Sequence, residues 1–201
     1  PDLDEGVSIN VDIGGGTTDF VFYDSIEEKY HYSSVKFAGN DLWGGGLSNE
    51  KDNGFILAWE SLYNDKLERA DSQDMDFLRY KALKGRPGIS ASDKINLLFK
   101  YNETLRFTDI FKNQLHNFDR LKYPMLLHLS SIFHYAIQWS TNLGVSFKEV
   151  RNISFSGKGS SYINLIFSQS ELEEFLKAYL DSYNEINNTR LSIRRAILLS
   201  N

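Results

Sequence analysis

Apolar and polar positions alternate along Val7-Ser8-Ile9-Asn10-Val11-Asp12-Ile13. That period of two is what a strand with one buried face requires. Phe20 to Tyr23 resumes as a return strand, and Tyr30 to Phe37, rich in β-favouring aromatic residues, predicts the third strand of an antiparallel meander. Between the first two runs lies Gly14-Gly15-Gly16-Thr17-Thr18-Asp19, which predicts a hairpin with a bare tip. Glycine reaches φ > 0 without steric penalty there and lets a ligand approach the backbone. The stretch Ala38 to Gly46 is too glycine-dense for regular structure and reads by composition as a loop.

From Gly54 the period becomes helical. Phe55, Ile56, Ala58, Trp59, Leu62, Tyr63 and Leu67 lie mostly along one broad face. Residues 71–76 break the pattern, and Lys84-Gly85-Arg86-Pro87-Gly88 predicts a stop. Ser90-Ala91-Ser92-Asp93 supplies cap chemistry for a helix carrying Ile95, Leu97, Leu98 and Phe99, and a third helix is expected over Leu105 to Phe118. Lys122 to Leu143 predicts a long packing helix, with Pro124 in the first turn, Met125, Leu126, Leu129, Ile132, Phe133, Ala136, Ile137 and Leu143 at three- and four-residue spacing, and Gly144 as its stop. His128 and His134 point to different faces at this spacing, which argues against a shared metal site and leaves them as solvent-facing or core-edge side chains. Val150 to Phe155 is a short strand that meets Gly157-Lys158-Gly159-Ser160 and enters a helix, Tyr162 to Phe167. Glu171 to Tyr183 is a charged amphipathic helix, and the pattern of Arg190 to Leu199 is ambiguous.

With 201 residues and 41% hydrophobic content, the chain can bury a core as one large or two small domains. A formal charge of -5 argues against a nucleic-acid surface. The absence of cysteine excludes disulfides and thiolate metal sites and fits a reducing compartment. Pro1-Asp2-Leu3-Asp4-Glu5 offers no basic, apolar leader, and Tyr123 to Leu143 is interrupted by His128, Ser130, Ser131, His134, Gln138 and Ser140. The expectation is a cytoplasmic protein with no membrane span.

The hairpin tip is a phosphate-cradle candidate, because successive amides flanked by hydroxyls form a concavity suited to anionic oxygens. It could equally be a plain turn, with Asp12 and Asp19 as hairpin caps that accept backbone N–H bonds. The turn at Gly157 to Ser160 places exposed amides at a helix start, which suits a polar or anionic ligand and also an ordinary strand-to-helix connection. Asp12-Ile13-Gly14-Gly15-Gly16-Thr17-Thr18-Asp19 resembles the second phosphate loop of the actin, heat-shock chaperone and sugar kinase ATPase superfamily. It lacks the Gly-Lys-Ser/Thr end of a P-loop. Gly39-Asn40-Asp41-Leu42 is similar to the superfamily segment that opens a helix near the nucleotide, and Gly157, Gly159 and Ser160 are similar to its adenosine motif. Lys158 departs from the small residue usual there. The resemblance covers residues 7–45 and 150–167.

What it implies is an α/β fold: a ribonuclease H-like mixed sheet, made of the three-strand meander plus at least one further strand, flanked by helices. Residues 1–50 and 145–201 would form the nucleotide-binding subdomain, with a mostly helical insertion at 51–144 and a closing helix near Arg190 to Leu199. ATP with Mg²⁺ would place its phosphates against Gly14, Gly15, Gly16, Thr17 and Thr18, pass near Gly39 and Asn40, and rest its adenosine on Gly157, Gly159 and Ser160. Asp12 would hold Mg²⁺ through water, Thr17 would donate to the γ-phosphate, and Asp19 would orient the attacking water or accept its proton. The superfamily builds its cleft from two related halves, and only a handful of residues precede Val7. The resemblance therefore implies a second half alone, whose partner is the missing first lobe in the same parent chain or in another chain. The parent would be an ATPase with a protein client or filament partner, and this chain alone would turn over negligibly. Two other functions fit the same residues: part of a small-molecule kinase, and a non-catalytic interaction module on a degenerate ATPase fold.

Overall fold

A computed structural model of the chain describes residues 7–44, 53–114, 119–143 and 150–199. The N-terminal stretch read for a leader, Gly45 and Gly46, the end of the expected third helix and the Gly144 stop lie outside the described residues. The chain divides into two compact units, Pro1–Ala38 with Leu126–Asn201, and Gly39–Met125.

The first unit is built on a mixed sheet of five strands, β1 (Val7–Ile13), β2 (Thr18–Asp24), β3 (Lys29–Val35), β4 (Val150–Ser156) and β5 (Ile193–Leu198), in the order β3-β2-β1-β4-β5. The meander β1-β2-β3 is antiparallel, while β4 runs parallel to β1 and β5 parallel to β4. This is the mixed, helix-flanked α/β sheet that the sequence predicts. Alternation decides the faces: Val7, Ile9, Val11, Ile13, Phe20 and Phe22 are buried, as are Ile153 and Phe155 of β4. A long helix, α7 (Asp119–Asn142), lies against them, with Tyr135 5.0 Å from the Phe20 ring and Trp139 4.4 Å from Phe22. After the short α8 (Ile163–Ile166), helix α9 (Gln169–Asn187) packs on α7 through Phe133 and Tyr179, and Gln138 Nε2 donates to Tyr183 Oη at 2.8 Å. The opposite face carries Ser8, Asn10 and Asp12 of β1, with Asp19 of β2 and Ser156 of β4 across from Asp12.

Three expectations are corrected here. Arg190 to Leu199 does not form a closing helix, because Ile193–Leu198 is a strand in register with β4, Val150 opposite Ile193 and Ile153 opposite Ala196. The register slips between Val7 and Ser8 on β1, which skips Arg151, so Val150 and Ile153 face the core although they are three apart. Strand β5 follows with Ile193 and Ala196 buried, a spacing that imitates a helix. Pro124 falls in the second turn of α7, which starts at Asp119, and its ring forgoes a bond to the Arg120 carbonyl. The loop read after β3 is helical at its start: α1 spans Gly39–Trp43.

The second unit holds α1 with α2 (Gly54–Arg69), α3 (Met75–Lys84), α4 (Ala91–Lys100), α5 (Asn102–Leu105) and α6 (Phe107–Gln114). Its core is aromatic: Trp43 on Phe55 at 5.0 Å, Trp59 on Tyr80 at 4.7 Å and Phe99 on Phe107 at 5.1 Å. Trp59 is buried without loss because its Nε1 donates to the Leu105 carbonyl at 2.9 Å. Helix α3 is absent from the sequence prediction; the polar break ends at Asp74, after which Phe77 and Tyr80 are buried. The expected third helix starts at Phe107 rather than Leu105, because Arg106 takes φ 51 and separates it from α5.

Candidate functional site

Strand order reverses between β1 and β4, so the segments leaving their carboxyl ends diverge. Open α/β sheets form their ligand crevices at such switch points. Both glycine motifs lie here. Gly157 has φ 85, a conformation that disfavours any residue with a Cβ. A Cβ there would run into Asp12 Oδ1 and the Ile13 carbonyl oxygen, and one on Gly159 would overlap the Gly14 carbonyl and lie 2.6 Å from that of Ile13. The turn after β4 is therefore packed closely on the end of β1, with no room for a side chain on Gly157 or Gly159.

In the hairpin, Gly14 N–H donates to the Thr17 carbonyl at 2.9 Å, which leaves Gly15 and Gly16 at the tip. Gly15, Gly16 and Thr17 are exposed. The expected use of φ > 0 is corrected: Gly14 and Gly16 lie outside the left-handed region. A Cβ on Gly14 would lie 3.0 Å from the Thr17 oxygen, whereas one on Gly16 meets nothing within 4 Å. Thr18 is buried and its Oγ1 donates to the Phe37 carbonyl at 2.6 Å, so that hydroxyl ties β2 to the end of the meander rather than facing the tip.

Asp12 and Asp19 stand directly opposite one another on β1 and β2, both exposed on the face away from α7. Ser34 Oγ donates to Asp19 Oδ1, and Ser156 is paired with Asp12, so Ser34, Asp19, Asp12 and Ser156 form a polar row across four strands. Like charges directly opposite repel. Two carboxylates there suit a hard divalent cation, which takes oxygen ligands and retains water. Among the described residues no group of three or more His, Cys, Asp or Glu gathers into a closed metal cage.

Beyond the turn, a 3₁₀ segment spans Lys158–Tyr162. Ser160 is buried, with its Oγ 2.7 Å from the Gly157 carbonyl to which it donates, and Lys158 is exposed. Beneath this turn is a group that the sequence reading misses. His128 of α7 is buried, not solvent-facing, with Nε2 2.9 Å from the Ala38 carbonyl and Nδ1 2.9 Å from Tyr162 Oη. A carbonyl only accepts, so Nε2 carries the proton and Nδ1 accepts from the phenol. Burial pushes the Tyr162 phenol pKa far up, which keeps that donor protonated. His128 thus fixes both the end of the meander and the turn after β4. His134 is exposed and bonds Tyr179 Oη at 2.8 Å.

Asp12, Gly14 to Thr17, Asp19, Gly157 and Gly159 come together in the first unit, and Thr18 and Ser160 lie beside them with inward hydroxyls. Gly39 and Asn40 open α1 in the second unit. Gly39 is buried there, and Asn40 Oδ1 accepts from Ser92 Oγ at 2.6 Å. The signal missed for Ser34 is its place in an alternating strand; its register against Asp19 is set by pairing, which periodicity does not reveal.

No known family profile matches the chain, and no curated protein matches it. Among solved structures it is similar to the PilM-PilN type IV pilus biogenesis complex, at TM-score 0.35 and 14% identity over 96% of this chain and 38% of that one. It is also similar to glucokinase from Balamuthia mandrillaris in complex with glucose, at 0.37 and 12% over 96% and 50%. An archaeal actin homolog aligns at 0.26 and 13% over 96% and 44%. The chain spans half or less of the length of these proteins. At these scores the likeness has no bearing on ligand or activity.

Proposed function

We propose that this chain is the ATP-binding second lobe of an actin-like or chaperone-like ATPase. The observation that carries the reading is the close packing of Gly157 and Gly159, with no room for a Cβ on either, against Asp12, Ile13 and Gly14. It gathers the two motifs of the resemblance at one switch point, with bare amides at Gly15 and Gly16 on the same rim. In this reading Gly14 to Thr17 hold the phosphates, and the turn at Gly157 and Gly159 supports the adenosine. Thr18 and Ser160 shape the two loops from within. Asp12 would hold magnesium, through water, and the ion would supply charge neutralisation to the phosphates. Asp19, fixed by Ser34, is the group placed to orient the attacking water or take its proton. Without the first lobe the chain turns over negligibly.

Calorimetric titration with ATP and Mg²⁺ tests this. The wild-type chain is expected to bind; Asp12→Ala loses the magnesium-dependent part of the affinity; Asp19→Ala keeps binding and loses turnover in the two-lobe parent. No nucleotide affinity in the parent would replace this reading with the interaction module. Phosphate release that appears only with an added metabolite would identify a small-molecule kinase.

A further inference from the structure

Among the described residues, strand β3 forms one outer edge of the sheet, paired to β2 on one side. Edge strands are templates for further pairing, and proteins guard them with charge, proline or brevity. This one spans seven residues, Lys29–Val35, without proline. Its aromatic face is open: Tyr30 is 60% and Tyr32 71% exposed. Their rings stack at 6.3 Å, and Tyr23 of β2 extends the stack to Tyr30 at 4.7 Å.

The charges at its ends specify the occupant. Glu28, exposed with φ 52, precedes the strand and Lys36, also exposed, follows it. Lys29 is already paired with Glu27 at 2.8 Å. In an antiparallel pairing of β3 with its own copy about a two-fold axis at Tyr32, residue 30 meets 34 and residue 29 meets 35, which brings Glu28, in the turn just before the strand, to the same end as Lys36, just after it. Each Glu28 then faces the Lys36 of the other copy, twice by symmetry, and the two Tyr32 rings stand side by side on the open face. Registers displaced by two residues in either direction lose both charge pairs. We infer that β3 is a self-association edge through which two copies of this chain join their sheets, in the register centred on Tyr32. The contact is small for a protein interface, which makes the dimer concentration-dependent.

Sedimentation equilibrium of the 201-residue chain tests the inference, with circular dichroism as the control on folding. The wild type is expected to show a monomer–dimer equilibrium. Glu28→Lys or Lys36→Glu alone weakens it at least tenfold, by setting like charges opposite. An equimolar mixture of the two single variants, or the double exchange Glu28→Lys/Lys36→Glu in one chain, restores it. Because the chain contains no cysteine, the register has its own readout. Tyr32→Cys forms an intermolecular disulfide under mild oxidation faster than Tyr30→Cys, whose two copies would sit about 13 Å apart along the strands. A chain that is monomeric at every concentration overturns the inference. So do single charge variants that associate as the wild type does, or equal crosslinking at positions 30 and 32. None of these outcomes depends on nucleotide, so they leave the ATP-lobe reading untouched.

Discussion

At the scale of single residues, the glycines of this chain are not interchangeable. Gly157 needs its positive φ, and Gly157 and Gly159 both lie against the backbone of β1. Alanine at either forces that backbone to move, and each variant is expected to lose about 2–4 kcal/mol in urea unfolding. Gly16 faces open space, so Gly16→Ala should unfold within about 0.5 kcal/mol of wild type and, on the proposed ATP-lobe reading, weaken nucleotide binding in a calorimetric titration. The Tyr162 phenol makes a second prediction. Its pKa is raised in the fold, so above the ordinary value of 10.0 the unfolded chain releases a proton that the folded chain retains. Stability is therefore full below that pH and falls above it, by about 1.4 kcal/mol per pH unit. Unfolding midpoints measured from pH 9 upward should show this slope in the wild type and a shallower one in Tyr162→Phe.

At the scale of elements, local rules were most legible where cap and periodicity agree. Ser90 and Asp93 form the reciprocal cap that opens α4, and Ser168 and Glu171 do the same for α9. Ser168→Ala should cost about 1 kcal/mol, read as a lower urea midpoint at unchanged slope. Strand β1 was legible because it alternates cleanly, and β2 and β3 because their aromatic and β-branched residues follow it at hairpin spacing. Strand β5 was not, since the bulge beside it on β4 spaces Ile193 and Ala196 like helix positions. Helix α3 was hidden because its apolar residues do not mark one buried face: Met75 and Ala82 are exposed, and its burial rests on Phe77 and Tyr80 packing with Trp59 of α2.

At the scale of the molecule, ligand and fold are linked. If the hairpin tip and the turn after β4 take ATP with Mg²⁺, nucleotide at a hundred times its dissociation constant should raise unfolding free energy by about 2.7 kcal/mol. A thermal shift that needs both components, and that Asp12→Ala abolishes, is the expected result. By itself the sequence determined the meander, the bare hairpin tip, the strand-turn-helix at Gly157 and most of the helices, because these depend on neighbours a few residues apart. Only tertiary structure decided that Thr18 and Ser160 turn their hydroxyls inward, that Ser34 holds Asp19, and that His128 joins Ala38 to Tyr162. Those contacts join residues brought together by strand register and by the packing of α7. Register and helix packing are settled by burial over the whole chain, which no local pattern encodes.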